Sequence, residues 1–337
     1  MFRSRQEGLT LVELLISVVI LGILMVVIGP IFASALTFME SAKKGEVQLN
    51  NQKLGAGMLS YARNNNGDLP PAHPTKGYAL YDKEAADGDL TSEDYRLFLE
   101  LTGAGVPPNQ INSAGYGVDA LKRYQLVTGL TSKQKIFFNT GDEVTLNYQV
   151  GVIYQSDCAK SLCLDTDPFA GSEVKTEKLT ASNIASWELK GSDYAPVMIN
   201  TLSEQKAMLR TTLGRINRLS DRISSHYYAT ARVSEDASKN NFAGDNATQV
   251  SPSVNGCWVA WDDLSSNASN MLPSIGLNKN EYGKTAWGGK IEYCRDYKPN
   301  GLGGVPPFYA ALRINRDLKF GSDPDPYNNN KNIVITF

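Results

Sequence analysis

The sequence predicts an α+β protein, in which a long N-terminal α-helix packs on a globular head with an antiparallel β-sheet, enlarged by extra helices and loops. Three patterns support this class. Residues 9–29 form a nearly uninterrupted apolar run, which is typical of a transmembrane helix. Apolar and polar residues alternate over residues 144–152, as in a strand with one buried face. Residues 201–231 place apolar side chains at helical spacing.

The N-terminal apolar run is unusual because it contains one acid. From Leu9 to Gly29 the only ionisable residue is Glu13. A helix of this length spans about 31 Å, the thickness of one bilayer core. An acid within a membrane costs about 2.5–3.5 kcal/mol even on lenient scales. A secretory signal carries its small residue after the apolar run, whereas here Gly8 precedes it. A cut after Gly8 would therefore leave the helix on the mature chain.

With its charged leader, Gly8, Leu9 and Glu13, this segment resembles the N-terminus of type IV prepilins and of the pseudopilins of type II secretion. In that family a dedicated peptidase cuts after the glycine and methylates the new first residue, which corresponds here to Leu9. Phenylalanine is commoner at that position. Glu13 corresponds to the acidic fifth residue of the mature chain, and the pattern continues through Gly22 to Pro30. The resemblance covers about a tenth of the chain.

A buried carboxylate needs a partner, and the helix of Glu13 offers none, since no Lys or Arg occurs between that residue and Glu40. The available cation is the α-amino group that a cut after Gly8 would create. A straight helix disfavours pairing within one chain, so a neighbouring subunit is expected to supply the amine. Glu13 is therefore predicted to direct assembly. Gly29 and Pro30 are expected to bend or locally unwind the helix.

The first helix is expected to continue to about Asn64, because Leu54, Met58 and Tyr61 recur at helical spacing. Gly67 is the predicted terminator, with two prolines beyond it. The predicted organisation is a leader at residues 1–8, a transmembrane and stalk helix at 9–64, a first part of the head at 65–200 and a second part at 201–337.

The sequence predicts short helices followed by strands in the first part of the head. Thr91 and Asp94 form a capping pair before an apolar stretch, which predicts a helix. A second short helix is expected over Val118–Leu126, and a short strand at Ile136–Phe138 precedes the alternating strand.

The second part begins with a long amphipathic helix. Thr201 and Glu204 predict a capping box at its start, and it is expected to end near Ala231. Its apolar side is predicted to contain Leu209, Leu213, Ile216, Leu219, Ile223 and Tyr227. Further strands are expected at Cys257–Trp261, Lys290–Cys294, Phe308–Ile314 and Asn332–Phe337.

The distribution of charge indicates where the head lies and which partners the chain can bind. The leader arginines are expected to stay cytoplasmic, which places the head outside the inner membrane. The net charge of −2 predicts no general affinity for nucleic acid or anionic lipid. A strip of arginines on the long helix could nevertheless bind DNA, although a solvated or intersubunit face explains it better. The strip consists of Arg215, Arg218 and Arg222.

An even number of cysteines in an exported head predicts two disulfides. The four are Cys158, Cys163, Cys257 and Cys294. They allow three connectivities, of which sequence proximity favours Cys158–Cys163 and Cys257–Cys294. Zinc is not expected, because C-x4-C lacks the spacing of a zinc knuckle.

No cofactor is expected, with calcium as the one alternative. Oxygen-rich turns at Asp87 and Asp89 and at Asp323 and Asp325 could hold calcium, but turn chemistry also explains them. Catalysis is not expected, because the two histidines lie far apart and neither accompanies a nucleophile motif.

The resemblance implies a minor pilin that inserts in the inner membrane by a single pass, with its head in the periplasm or exterior. Such a subunit assembles through its N-terminal helix into a type IV pilus, initiating or capping the fibre. The head of about 270 residues exceeds that of a typical major pilin. A pseudopilin of type II protein secretion, and a tip adhesin or DNA receptor, are the alternatives. The implied partners are prepilin peptidase, other pilin or pseudopilin subunits, the inner-membrane assembly platform and membrane lipid.

Overall fold

The structure is a computed structural model with side chains. It describes residues 11–71, 101–103, 105–107, 121–136, 142–156, 175–176, 178–190, 194–234, 236–244, 249–298 and 303–337. For residues 11–33, 40, 43, 121–123, 175–176, 190 and 249–254 it describes the backbone alone. The fold is α+β, with two long helices and mostly antiparallel sheets.

The N-terminal helix, α1, spans Leu11–Asn64, so the predicted end at Asn64 is confirmed. Gly67 follows with φ +86°, and its N–H donates to the carbonyl of Ala62 at 2.7 Å, which is a glycine C-cap. The helix is unbroken through Pro30, so the local unwinding expected there is wrong. A proline removes one hydrogen bond from the ladder, and the turns on either side maintain the helix. The alternative, a bend, stays a prediction.

The side chains of the apolar run, residues 9–29, are not among those that the structure describes. Among the residues that the structure does describe, no helix is both long enough and apolar enough to cross a membrane.

The first sheet is built around one long strand, β2. Strand β1 (Leu121–Lys135) pairs antiparallel with β2 (Glu143–Ser156), with an irregularity in register between Val127 and Leu130. The other edge of β2 pairs with two short strands, β5 (Val197–Asn200), which is antiparallel, and β11 (Asp317–Leu318), which is parallel. The strand predicted over residues 144–152 is thus confirmed.

One sequence prediction near β1 is wrong, and another falls mostly outside the described residues. The helix expected over Val118–Leu126 is a strand from Leu121 onward, because this segment pairs with β2 and buries Tyr124 completely in the core beneath α1. Of the short strand expected at Ile136–Phe138, the structure describes only Ile136, which lies in a bend directly after the end of β1 at Lys135. Residues 137–138 lie outside the described residues, as do Thr91 and Asp94.

The second long helix, α2, spans Leu202–Val233, as predicted. It packs against a second antiparallel sheet, which is formed by β8 (Asp262–Asp263), β9 (Glu292–Cys294), β10 (Ala311–Asn315) and β12 (Asn332–Thr336). The strand order in this sheet is β12-β10-β9-β8. Strands occur within all four late segments that the sequence marked. Smaller elements are the pair β3 (Lys175–Thr176) and β4 (Leu189–Lys190), the pair β6 (Gln249–Val254) and β7 (Cys257–Val259), helices α3 (Met271–Ser274) and α4 (Lys279–Tyr282), and a 3-10 turn at Asn329–Lys331.

Strand β2 contributes to the cores under both long helices. Ile153 packs with α1, on a cluster that includes Leu54 and Met58. Val144 and Leu146, at the other end of β2, join the cluster beneath α2. That larger cluster also holds Ile216, Leu219, Ile223, Trp287, Leu312 and Ile314. The two halves of the head therefore share one strand.

The capping box predicted at the start of α2 is wrong. Thr201 does occupy the N-cap position, but its hydroxyl accepts the backbone N–H of Gln149 at 2.9 Å and caps nothing. Glu204 instead pairs with Arg63 of α1. Asn200 provides a local bond, since its side chain accepts the N–H of Leu202 at 2.8 Å. Both predicted capping residues thus hold α2 against other elements.

Candidate functional site

The predicted processing and assembly residues lie at the very N-terminus. Gly8 and Leu9 lie outside the described residues, and Glu13 lies in α1, where only the backbone is described. The roles assigned to these residues therefore rest on the sequence alone. The structure describes the helix that follows them. That helix is continuous from Leu11 into the head.

The middle of α1 presents apolar side chains that no described part of the head covers. Leu36, Phe38 and Met39 are 66%, 74% and 67% exposed, and Leu49 is half exposed. Large exposed apolar surfaces on soluble proteins mark sites of contact with other proteins or with membrane. The uncovered stretch lies directly C-terminal to the apolar run.

The lower part of α1 is attached to the head by apolar packing. Burial begins at Val47 and continues through Leu54, Met58 and Ala62. Gly57, which weakens an isolated helix, lets the head approach closely, since a Cβ there would lie 2.2 Å from the Val106 side chain. The helix thus changes from uncovered to embedded over a few turns.

A bidentate ion pair joins the end of α1 to the start of α2. Nε and Nη2 of Arg63 each donate to one carboxylate oxygen of Glu204 at 2.9 Å. The hydrogen bond from Arg63 lowers the pKa of Glu204, and the carboxylate in turn raises the pKa of Arg63. The pair gives α1 and α2 a directional contact, because a two-bond fork has a defined geometry.

Two glutamines secure the turn that follows α1. The side-chain amide of Gln205 donates to the carbonyl of Asn66 at 3.3 Å and accepts the indole N–H of Trp287 at 2.7 Å. The side chain of Gln149 accepts the N–H of Leu69 and donates to Asp68, both at 2.8 Å. Gln205 is buried, so the exit of the stalk is hydrogen-bonded into the centre of the head.

Sequence analysis did not identify Arg63, Gln149 and Gln205 as residues that attach α1 to the head. The partners of Arg63 and Gln205 lie 141 and 82 residues away in the chain. A glutamine on a helix carries no local signal that distinguishes such a role. Only the buried position of Gln205 in the apolar stripe of α2 could have drawn attention to it.

A disulfide joins Cys257 of β7 to Cys294 of β9, with Cα atoms 5.8 Å apart. This is the longer of the two bridges expected from the sequence. It attaches the β6–β7 pair to the outer face of the second sheet. Cys158 and Cys163 lie outside the described residues.

A buried arginine lies beside this disulfide on the same face. Arg313 is 2% exposed, pairs with Glu292 and stacks on Trp261 with its guanidinium carbon 4.2 Å from the ring centroid. Burial raises the pKa of Glu292 although Arg313 opposes that shift. The bridge, the ion pair and the tryptophan together hold the β7 segment in place.

Among the other candidate residues, Arg215, Asp323 and Asp325 make structural contacts. In the arginine strip, Arg218 and Arg222 are exposed, whereas Arg215 donates to the carbonyl of Lys284 at 2.8 Å. Asp323 accepts the N–H of Lys290, and Asp325 accepts two N–H groups in its own turn. Asp87 and Asp89 lie outside the described residues. Among described residues, no group of three or more His, Cys, Asp or Glu side chains could hold a metal ion.

Comparison with known proteins identifies one feature of the chain. Residues 3–29 match the prokaryotic N-terminal methylation motif. No curated protein and no solved structure matches the chain. The matched segment contains Gly8, Leu9 and Glu13, the residues on which the sequence resemblance rested. A class III signal of this kind implies processing by prepilin peptidase and assembly with other pilin subunits. The N-terminal motif thus supports assigning the chain as a prepilin of the type IV pilin and pseudopilin kind.

Proposed function

We propose that this protein is a minor pilin that initiates or caps a type IV pilus. The observation that carries the proposal is the helix that runs on from the methylation motif. It leaves an apolar stretch around Leu36, Phe38 and Met39 uncovered before it enters the head. In a fibre, this stretch and the apolar run before it would pack against the helices of neighbouring subunits. The large head would make each copy bulky, as suits a subunit present at a fibre end.

The proposed path begins in the inner membrane. The apolar run inserts as a single pass with the head on the outer side, and prepilin peptidase cuts after Gly8. The assembly platform then moves the subunit from lipid into the fibre. Glu13 guides this step, because pairing with a neighbour's N-terminal amine offsets the cost of burying both charges.

Replacement of Glu13 tests this mechanism. Glu13→Ala should be processed and should reach the membrane at normal levels, because the helix keeps its hydrophobicity. Its incorporation into sheared fibres should fall sharply. Glu46→Ala is the matched control, since Glu46 is an exposed acid on the same helix outside the apolar run. If Glu13→Ala assembles like the parent, charge pairing does not direct assembly of this subunit.

The number of copies in each fibre separates a specialised subunit from a major one. Quantitative mass spectrometry of sheared fibres should find this protein far below the major pilin. Deletion of its gene should reduce the number of fibres more than their length, because initiation is affected. Stoichiometry equal to that of the major subunit would contradict the proposal.

A further inference from the structure

The outer face of α2 carries a row of exposed arginines. Its members are Arg210, Arg218, Arg222 and Arg232. At about 100° per residue they lie within an arc of about 120°, and at about 1.5 Å per residue they span about 33 Å along the helix. This arginine row keeps two members of the strip seen in the sequence. It excludes Arg215, whose side chain donates to the carbonyl of Lys284.

The guanidinium groups of the arginine row are available to a partner. Within the part of the chain that the structure describes, none of the four forms an ion pair or a hydrogen bond through its side chain. Other arginines are engaged, since Arg63 and Arg313 pair with glutamates and Arg316 donates to the carbonyl of Glu143. A guanidinium without such a contact keeps the planar fork that binds phosphate through two hydrogen bonds.

Positive charge is concentrated on α2. The helix contains six Lys or Arg residues and two acids, which give it a net charge of +4. The whole chain has a net charge of −2, so the remaining residues carry −6. Of the two acids, Glu204 is paired with Arg63, and Asp221 lies within the arc of the arginine row. This segregation produces a local positive potential on a chain that is nearly neutral overall.

The shape of the arginine row selects the class of partner. A small anion needs arginines that converge on it, whereas these are spread along the helix, and the closest two, Arg218 and Arg222, are about 6 Å apart along the axis. A membrane surface would need an apolar helix face that can insert. The apolar face of α2 is instead buried in the core of the head, where Ile216, Leu219 and Ile223 are at most 1% exposed. The row therefore matches an extended polyanion.

Double-stranded DNA fits these dimensions. One turn of the duplex is about 34–36 Å long, close to the length of the row. Arg210 and Arg218 are about 12 Å apart along the helix, and Arg222 and Arg232 are about 15 Å apart. The major groove, which has phosphates along both edges, is about 12 Å wide, so the row can contact both strands at once. Tyr228 is 65% exposed within the same arc, and its hydroxyl is of the kind that bonds phosphate and sugar oxygens.

We propose that the arginine row binds the phosphate backbone of double-stranded DNA without sequence preference. Assembly uses the uncovered stretch of α1 around Phe38, whereas the row lies on α2 beyond the contact between Glu204 and Arg63. The inference goes beyond the proposed function and does not depend on it, because an isolated subunit would also bind DNA.

Binding is measured by fluorescence anisotropy with the full-length protein in a non-ionic detergent and a labelled duplex of arbitrary sequence. The dissociation constant should lie between about 10⁻⁶ and 10⁻⁴ M at physiological salt. Four phosphate contacts should make the logarithm of the association constant fall against the logarithm of the salt concentration with a slope of about −3 to −4. No binding at about 50 mM salt, an affinity independent of salt, or a strong preference for one of two unrelated duplexes would each overturn the proposal.

A pair of double variants localises the site. Arg218→Gln combined with Arg222→Gln should make the salt slope shallower by about two and should weaken binding at about 50 mM salt tenfold or more. Lys53→Gln combined with Lys135→Gln is the matched control, because it removes the same charge from exposed positions on α1 and β1. If both double variants lose the same affinity, with parental unfolding midpoints, overall charge and not the arginine row binds the DNA, and the assignment is refuted.

Competition separates DNA from an acidic protein partner. Poly-L-glutamate with the same number of charges should displace the labelled duplex far less well than unlabelled duplex does, because carboxylates on a flexible chain lack the fixed array of phosphates. Equal competition would assign the row to acidic proteins and would contradict the proposal.

Discussion

Gly67→Ala should destabilise the head by more than its backbone geometry alone requires. Gly67 has φ +86°, and a Cβ at this position would lie 2.0 Å from Nε2 of Gln205. The alanine would therefore displace the glutamine side chain that bonds both Asn66 and Trp287. A single methyl group would break the connection between the stalk exit and the centre of the head.

The expected loss has two parts. A side chain in the left-handed region costs about 1–2 kcal/mol. Displacing Gln205 leaves the buried indole N–H of Trp287 without its acceptor, which costs about 1–3 kcal/mol more. The free energy of unfolding should therefore fall by about 2–5 kcal/mol.

Equilibrium urea unfolding of the full-length protein in detergent, followed by tryptophan fluorescence, measures the change. Gly276→Ala is the matched control, because Gly276 has φ +73° with no atom within 4 Å of its added Cβ. Gly276→Ala should lower the free energy of unfolding only by the backbone contribution of about 1–2 kcal/mol. In a Gln205→Ala background, Gly67→Ala should also cost only that part, and the difference is the coupling energy.

The outcome that would refute this reasoning is specific. If Gly67→Ala costs no more than Gly276→Ala, and the double-mutant cycle shows no coupling, then Gln205 does not lie against the glycine. The hydrogen-bonded connection to Trp287 would then have no energetic role at the stalk exit.

Three further predictions concern processing, the disulfide and pH. Gly8→Val should leave an uncleaved precursor of higher intact mass, because the peptidase accepts only a minimal side chain before the cut. Cys257→Ser opens the bridge to Cys294, which spans 37 residues, and should cost about 4 kcal/mol in urea unfolding. Glu204→Gln should lower stability at neutral pH. That difference should vanish on acidification, because the lowered pKa of Glu204 makes the contribution of Arg63 present above the ordinary value of 4.5 and lost as pH falls through the folded value.

Each of these has a control or a contrary outcome. A cut after Ala33 or Ala35 would contradict the processing prediction. Under reducing conditions the parent should match Cys257→Ser, and four free thiols in protein purified from the envelope would contradict disulfide formation. Glu281→Gln, which replaces an exposed acid of α4, is the matched control for Glu204→Gln.

Sequence reasoning succeeded where the signal is local. The period of β2 and the apolar stripe of α2 follow from side-chain burial on one face, so residues 144–152 and 201–231 were placed correctly. The motif around Gly8 and Glu13 is likewise a short pattern in register. Such features need no knowledge of distant partners.

It failed where distant partners decide the local structure. The segment from Leu121 has helix-forming residues, yet pairing with β2 and the burial of Tyr124 under α1 outweigh that propensity. Thr201 and Glu204 have the spacing of a capping box, but Gln149 and Arg63 take their side chains. These partners lie 52 and 141 residues away, beyond any local pattern.

The parallel pairing of β11 with β2 has a consequence for the order in which the head folds. Asn147 of β2 donates to Asp317 of β11 across 170 residues of chain, and Val144 and Leu146 are covered by residues of the second sheet. Contacts this distant in sequence close large loops and form slowly. The end of β2 that holds Val144 and Leu146 therefore completes its packing only after β10, β11 and β12 have been synthesised. Under the proposed topology, this part of the core would close only after those strands have crossed the membrane, with the stalk helix already anchored behind them.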